Sequence, residues 1–296
     1  MTYKTLSYGK DPRNGRIARI KLNRPQVLNA ITPEMPGEIR RAVEEANADD
    51  EVHVIILEGE GRAFCAGYDL KYFAEEMGEN PLIQEEMPWD PMQDFRVMKS
   101  YTDDFMSLWR SYKPTICKVQ QYAVAGGTDM ALCCDLIIVE DKAKLGYPPT
   151  RVWGCPTTGL WTYRVGAMRA KRMLFTGDLI DGITARDWGL AIDAVPLDKL
   201  DETVDALAER IAGVPRNQLM MHKLVVNQSM SAMGVENTQI FATLFDGITR
   251  HSPEGVWFKA HAERHGFHDA IRIRDSNEAI PEGDEARAAV RRLRNR

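Results

Sequence analysis

The sequence has few cysteines, no long apolar run and no excess of positive charge, and each shortage excludes a class of protein. The five cysteines are odd in number and lack C-x-x-C spacing, which argues against a disulfide framework or zinc site and indicates a reducing compartment. No stretch approaches the ~20 apolar residues of a membrane helix. The N-terminal residues, MTYKTLSYGKDPRNGR, lack the apolar core of a signal peptide. We therefore expect a cytoplasmic protein without a membrane span.

The charge balance and the glycine spacing exclude further classes. A formal net charge of −5 offers no basic footprint for nucleic acid. Neither the dinucleotide pattern GxGxxG nor the phosphate loop GxxxxGK[ST] is present at the glycine-rich turns, so nucleotide binding through those routes is disfavoured. With 296 residues, 44% of them hydrophobic, the chain suits one large globular domain with an extension, or two domains.

Strand and helix patterns alternate over the first two hundred residues and then give way to helices. Apolar runs at 52–57, 115–124 and 136–139 predict buried strands, each followed by a turn or helical pattern. This order predicts an α/β core over 1–200 and a helical region over 201–270.

Two segments depart from this rhythm. Residues 77–100 contain three prolines and little periodicity, which predicts an insertion or lid loop. Residues 271–296 are rich in both charge signs and poor in apolar side chains, which predicts a partly ordered charged tail.

Two glycine turns carry the strongest chemical signal. AGYDL (66–70) and AGGTD (125–129) each follow an apolar strand and open a helical pattern. Two backbone N–H donors from separate turns, converging on one carbonyl oxygen, make an oxyanion hole, and Asp129 could then act as an acid or base. Taken alone, the second turn favours the simpler interpretation of a tight turn capped by Thr128, with Asp129 matching the helix dipole.

The order of several motifs makes the pattern specific. The segments LNRPQVLNA, GRAFCAGYDL, KPTICKVQQYAVAGGTDMALCCDLIIVEDKAKLGYPP, KRMLFTG and WGLAIDAV follow one another over roughly 15–270. This series resembles the crotonase superfamily, the enoyl-CoA hydratase/isomerase group. The resemblance implies a crotonase-like spiral of repeated β-β-α units with a C-terminal helical trimerisation layer. It also implies homotrimers, often paired into hexamers, and an acyl-CoA substrate whose coenzyme A takes the place of a separate cofactor.

The resemblance also assigns site residues. The oxyanion donors fall on the N–H groups of Tyr68 and Gly126, and the main acid or base falls on Asp129. Residues 66–70 would border the coenzyme A moiety, Lys71 would contact a phosphate, and Phe267 would lie against the adenine. The alternatives are a solvated surface charge for Lys71 and core packing for Phe267. The substrate-binding set is therefore Ala66, Gly67, Asp69, Leu70, Lys71, Gly127, Tyr147, Pro149 and Phe267. No metal ligand is implied.

The acid and base positions depart from the family pattern. Typical hydratases carry two glutamates, but Asp129, shorter by a methylene, stands at the first position and Pro149 at the second. Proline cannot transfer a proton. No carboxylate replaces it nearby, where the polar residues are Tyr147, Thr150, Arg151, Thr157 and Thr158.

Two further groups of residues have alternative interpretations. Glu254 could reach the acyl pocket, but Ser252 and Pro253 before it also fit a helix start in which Glu254 only complements the dipole. Trp89, Trp153 and Trp161 could line an acyl pocket, although this rests on aromatic content alone.

Three functions remain open at the level of sequence. The first is an acyl-CoA lyase or isomerase, conventionally an enoyl-CoA hydratase. A single carboxylate could instead activate water in a CoA-ester or carbon–carbon hydrolase. The loss of the second glutamate also allows a non-catalytic acyl-CoA-binding protein.

Overall fold

The computed structural model describes residues 2–75 and 89–295. The strands are β1 (Leu6–Asp11), β2 (Asn14–Leu22), β3 (Val54–Gly59), β4 (Thr115–Val119), β5 (Tyr122–Val124), β6 (Leu136–Glu140), β7 (Lys144–Gly146), β8 (Leu179–Asp181) and β9 (Asp193–Val195). The first six helices are α1 (Glu34–Ala48), α2 (Pro91–Arg110), α3 (Gly126–Leu132), α4 (Trp161–Val165), α5 (Ala167–Thr176) and α6 (Gly182–Trp188). The remaining six are α7 (Leu197–Ala212), α8 (Arg216–Ala232), α9 (Val235–His251), α10 (Pro253–His265), α11 (Phe267–Arg274) and α12 (Gly283–Arg294).

The strands form two sheets. The larger has the order β1-β2-β3-β4-β6-β9, in which the β1–β2 hairpin is antiparallel and every other pairing is parallel. The smaller has the order β5-β7-β8. Because β4 and β6 are each followed directly by a strand of the second sheet, the chain passes twice from the larger sheet to the smaller one, and it returns at β6 and at β9. The mixed α/β architecture confirms the predicted fold class.

The larger sheet is buried on both faces. In β3, Ile55 and Leu57 point into the main core, whereas Val54 and Ile56 pack beneath α7. This alternation explains why the strand reads as a continuous apolar run, as expected for a parallel strand covered on two sides.

The predicted single strand over 115–124 is wrong, because the segment divides between the two sheets. Gln120 and Gln121 separate β4 from β5, and Gln121 adopts a φ of 55°, which no strand residue does. The side chain of Gln120 is buried and donates to Gly59 O at 2.8 Å, so a polar residue inside an apolar run marks the crossing point.

Two irregular segments are more ordered than predicted. Residues 91–100 belong to helix α2, whose N-cap Asp90 accepts hydrogen bonds from Met92 and Gln93 N–H groups, so the predicted insertion does not extend through them. Residues 76–88 lie outside the described residues. In the predicted tail, α12 buries Ala286, Ala289 and Val290 in a cluster that includes Phe258 of α10. Three small apolar residues at helical spacing are enough to pack α12 against α10, although many of its other residues are charged.

The five cysteines are free thiols, and four of them are buried. Within 2–75 and 89–295, no helix combines the length and apolar character needed to cross a bilayer.

Candidate active site

A cavity of about 120 Å³ lies between the glycine turns and the C-terminal helices. Its walls include side chains from residues 66–73, from the loop after β7, and from α9, α10 and α11. Six of the residues predicted from sequence line it: Ala66, Tyr68, Leu70, Asp129, Tyr147 and Pro149. The remaining lining is largely apolar or aromatic, as in most small-molecule sites.

The two glycine turns pack directly against each other. Gly67 has a φ of +91°, and a Cβ there would lie 2.9 Å from Val124 O and 3.6 Å from Gly126 N. A Cβ on Gly126 would lie 2.7 Å from Cε2 of Tyr68, and one on Gly127 would lie 2.5 Å from Cys65 O. The glycines are therefore required by close approach of the turns.

The amide groups of Tyr68 and Gly126 have unused donors. Gly126 is the first residue of α3. On either side of Tyr68, Gly67 O accepts from the Ile31 N–H and the Asp69 N–H donates to Ile31 O. Within the described part of the chain, neither N–H donates to a protein acceptor. Both donors are thus free to bind a ligand oxygen.

The α3 terminus differs from the predicted capped turn. Helix α3 begins at Gly126, two residues earlier than expected, and Thr128 bonds the backbone of Ala123 and Gly146 instead of capping the helix. Ala125 precedes the helix with φ 54° and ψ −125°, which strains a residue with a Cβ. Such strain, about 1–3 kcal/mol, is typically tolerated where a site needs a specific backbone shape.

Asp129 is a buried carboxyl group in the cavity wall, with 3% of its surface exposed. Desolvation by burial raises its pKa from the usual 3.8 to about 8, while polar groups of Thr158 and Trp161 oppose the shift and the charge of Asp246 adds to it. Asp129 Oδ1, Thr158 Oγ1 and Trp161 Nε1 are buried without a regular hydrogen-bond partner among the described residues. The carboxyl group is therefore mostly protonated near neutral pH.

The loop after β7 places Tyr147 and Pro149 in the cavity. Pro149 lies in a 3₁₀ turn and supplies only apolar surface. Burial, together with the charges of Asp246 and Asp129, raises the pKa of Tyr147 well above 10.0, so the phenol stays neutral. Tyr147 can donate a hydrogen bond but cannot serve as a base near neutral pH.

Helix α9 contributes a second acidic group to the cavity that sequence reasoning missed. Asp246 and Arg250 both line the cavity and are one helical turn apart. Arg250 Nη2 lies 3.1 Å from Asp246 Oδ2 and 2.6 Å from Asp94 Oδ1. Burial raises the pKa of Asp246, although Arg250 and the N–H of Cys155 oppose the shift. The D-x-x-x-R spacing within α9 was the available signal.

Comparisons with known proteins show the family of this chain. The family model described as "Enoyl-CoA hydratase/isomerase" matches residues 12–268. The chain belongs to the enoyl-CoA hydratase/isomerase family. It therefore lies within the crotonase superfamily, as the ordered motifs predicted.

This chain is similar to individual members of the family over most of their length. It is 31% identical to a Rhizobium meliloti protein named "Probable enoyl-CoA hydratase", over 86% of this chain and 95% of that one. A crystal structure of enoyl-CoA hydratase from Mycobacterium smegmatis is 47% identical with a TM-score of 0.86, covering 93% of this chain and 94% of that one. An enoyl-CoA hydratase/isomerase from Xanthobacter autotrophicus Py2 is 28% identical with a TM-score of 0.84, covering 94% and 100%.

Other predicted site residues of this hydratase/isomerase family member lie outside the cavity wall. Gly67, Gly126 and Gly127 form the close contact between the two turns and are not themselves lining residues, and the Asp69 carboxylate pairs with Arg24 at 3.0 Å. That ion pair joins the first turn to the LNRPQVLNA segment. It gives Asp69 a structural partner, and the substrate-binding role remains a prediction.

Two predicted contacts with coenzyme A lie near the first turn. Lys71 is exposed at the start of a π-helical turn (Lys71–Glu75). The Phe267 N–H begins α11 and donates to Glu75 Oε2 at 3.2 Å, which brings α11 to the same turn. Neither residue lines the cavity, and their contacts with substrate remain predictions.

The structure places Glu254 and the three candidate tryptophans in different surroundings. Ser252 caps α10 by accepting from Gly255 N–H, so Glu254 takes a first-turn position outside the cavity lining, as the capping alternative predicted. Trp153 lines the cavity, with a strained φ of 77°. Trp161 is buried beside Asp129, and Trp89 stacks on His251 with ring centres 4.2 Å apart.

Proposed function

We propose that this protein is an acyl-CoA-processing enzyme of the enoyl-CoA hydratase/isomerase type, which stabilises a thioester enolate in a backbone oxyanion hole. The observation that carries this proposal is the packing of two glycine turns with free N–H donors at Tyr68 and Gly126, next to a buried carboxyl group at Asp129. The names of the relatives support the same reaction class. Coenzyme A is part of the substrate, and no further cofactor is proposed.

The proposed chemistry follows from the arrangement of donors. The thioester oxygen would accept hydrogen bonds from the Tyr68 and Gly126 amides, which oppose the negative charge that forms when the acyl group becomes an enolate. One such donor can lower the barrier by about 3 kcal/mol. Asp129, held neutral by burial, would deliver a proton to the α carbon of the enolate. The apolar wall would hold the acyl chain and exclude bulk water.

A panel of 2-enoyl-CoA and 3-enoyl-CoA thioesters tests the proposal. Hydration is followed by loss of the conjugated thioester absorbance, and isomerisation by its appearance. We expect turnover of at least one 2-enoyl-CoA with the thioester intact. Binding of enoyl-CoA without any turnover would instead indicate a non-catalytic acyl-CoA-binding protein.

Hydrolysis is the second candidate, and Pro149 is the observation that favours it. With an apolar residue at the usual second carboxylate position, one acidic group could activate water against a thioester or carbon–carbon bond. Release of free CoA thiol from an acyl-CoA panel separates thioester hydrolysis from hydration. Chain cleavage with retained thioester identifies carbon–carbon hydrolysis.

We also propose assembly into a homotrimer or a hexamer through the C-terminal helices. Helices α8 and α9 expose large apolar side chains, which a lone subunit would leave in water. These include Leu224, Val225, Val226, Phe241, Phe245 and Ile248. Light scattering coupled to gel filtration tests the assembly, and Phe241→Glu should shift it towards monomer. The free thiols support the proposed cytoplasmic location, which fractionation of the source cells would test.

A further inference from the structure

We propose that Asp246 on α9 is the second carboxylate of the active site, taking the part that Pro149 cannot perform. This inference rests on the proposed enoyl-CoA function and names a further catalytic residue for it. Pro149 removes proton transfer from the loop after β7, but the cavity also has a wall formed by α9.

The geometry places Asp246 where it can meet the substrate. Among the described residues, Asp129 and Asp246 are the carboxylates that line the cavity. They are close enough for the charge of Asp246 to raise the pKa of Asp129, and the charges of both raise the pKa of Tyr147. Asp246 is 5% exposed, and it is one of the few polar groups in a largely apolar wall.

The partners of Asp246 hold the carboxylate still. Cys155 N–H donates to Oδ1 at 3.0 Å, and Arg250 Nη2 donates to Oδ2 at 3.1 Å. Arg250 is itself held by Asp94. Burial raises the pKa of Asp246, and the contacts with Arg250 and Cys155 oppose that shift by favouring the ionised form. Asp129 has no charged partner of opposite sign among the described residues.

The other polar residues of the cavity wall do not offer an equivalent base. Tyr68 and Tyr147 are neutral phenols, because burial raises the pKa of both well above 10.0. The Thr157 hydroxyl accepts from Thr102 at 2.8 Å, and a neutral hydroxyl is a poor base. Arg250 and Arg274 are cations without a basic lone pair.

The two carboxyl groups then have separate roles in the reaction, one as base and the other as acid. Ionised Asp246 removes a proton from water as the water oxygen bonds to the β carbon of a 2-enoyl thioester. The π electron pair moves through the α carbon to the thioester oxygen, where the Tyr68 and Gly126 amides hold the negative charge. Protonated Asp129 gives its proton to the α carbon, and the carbonyl reforms. Water has been added, and the proton on Asp246 returns to Asp129 through solvent after product leaves.

The chain supplies a matched control for this assignment. Asp94 and Asp246 both pair with Arg250, so loss of either carboxylate disturbs the same ion network. Only Asp246 of these two lines the cavity. A purely structural role predicts similar effects of Asp94→Asn and Asp246→Asn, whereas a catalytic role separates them.

The test uses steady-state hydration of the 2-enoyl-CoA that the wild type turns over fastest. We expect Asp246→Asn to lower kcat at least about 100-fold, with KM within about threefold, as for loss of a general base. Asp94→Asn should keep kcat within about fivefold. Asp246→Glu moves the carboxylate by one methylene, so its kcat should fall at least about tenfold yet remain above that of Asp246→Asn.

The outcomes distinguish this inference from the proposed function. A wild type without turnover overturns the proposed function and this inference with it. Turnover by the wild type, combined with an Asp246→Asn variant of near-normal kcat, overturns the inference alone, as does an equal loss in Asp94→Asn. If Asp246→Asn does not fold, Asp246→Glu decides: an unchanged kcat means that Asp246 only pairs with Arg250.

Discussion

The glycine turns and helix α9 contribute to one cavity by different physical means. The turns use backbone N–H groups, brought together because Gly67, Gly126 and Gly127 allow close approach. Helix α9 uses side chains, Asp246 and Arg250, that project from a regular helix. A backbone site leaves a local trace in the sequence, since only glycine fits. A side-chain site on a helix leaves almost none.

The comparison explains how the active site can keep its reaction class while its acid and base positions change. The oxyanion donors are peptide groups, so substitutions that preserve the turns preserve them. Proton transfer depends on where a carboxylate projects, and several elements face the cavity. Loss of a carboxylate at Pro149 can therefore be offset from α9 without any change in the turns.

The largest expected effect comes from replacing Asp129, one of the two carboxyl groups of the cavity. Asp129→Asn should lower kcat about 1,000-fold while enoyl-CoA binding survives, because an amide cannot deliver a proton. Stopped-flow turnover and calorimetric titration with a saturated acyl-CoA measure the two properties. Glu254→Gln is the control, since Glu254 lies outside the cavity lining, and its kcat should stay within about threefold. Normal turnover by Asp129→Asn would remove Asp129 from the mechanism.

The backbone side is tested by Gly126→Ala. The new Cβ would meet Tyr68 Cε2 at 2.7 Å and Ile31 Cδ1 at 2.9 Å, so the turn must shift and misplace its N–H. We expect kcat to fall about 100-fold, in line with loss of one oxyanion donor. Gly9→Ala, where a Cβ meets nothing within 4 Å, is the matched control. Equal kcat values for the two variants would contradict the oxyanion assignment.

The pH dependence of turnover tests the division of labour between the two acids. Asp129 has a pKa of about 8 because of burial, so it carries a proton below that pH and loses it above. As a general acid it should therefore cause kcat/KM, which reports the ionisations of the free enzyme, to fall about tenfold per pH unit on the alkaline side. Steady-state assays from about pH 6 to about pH 9.5 check this. A kcat/KM that rises through pH 8 would make Asp129 the base instead.

The smallest expected effect is on stability. A carboxyl group whose pKa is about 8 in the folded protein and near 3.8 when unfolded favours unfolding as pH rises between these values. Asp129→Asn should therefore stabilise the fold near neutral pH by about 1–2 kcal/mol, as often seen when an active-site strain is removed. Urea unfolding at acidic and neutral pH measures this. The gain should shrink towards acidic pH, and a loss of stability near neutral pH would contradict the buried state of Asp129.

The fold class and the two glycine turns could be predicted from the amino-acid sequence. Both depend on local constraints: a strand covered on two faces must be apolar throughout, and a turn pressed against another backbone must carry glycine. The substitution of Pro149 for a carboxylate was equally visible. Short-range patterns also placed the cap of α10 at Ser252.

Tertiary structure alone decided the composition of the cavity. Asp246 is more than a hundred residues from Asp129 along the chain, and only packing of α9 against the core brings their charges together. The split of residues 115–124 between two sheets, and the docking of α12 through three small side chains, also depended on long-range partners. Burial raised the pKa of Asp129 to about 8 for the same reason. Desolvation is a property of everything that surrounds a group, and no local segment of the chain encodes it.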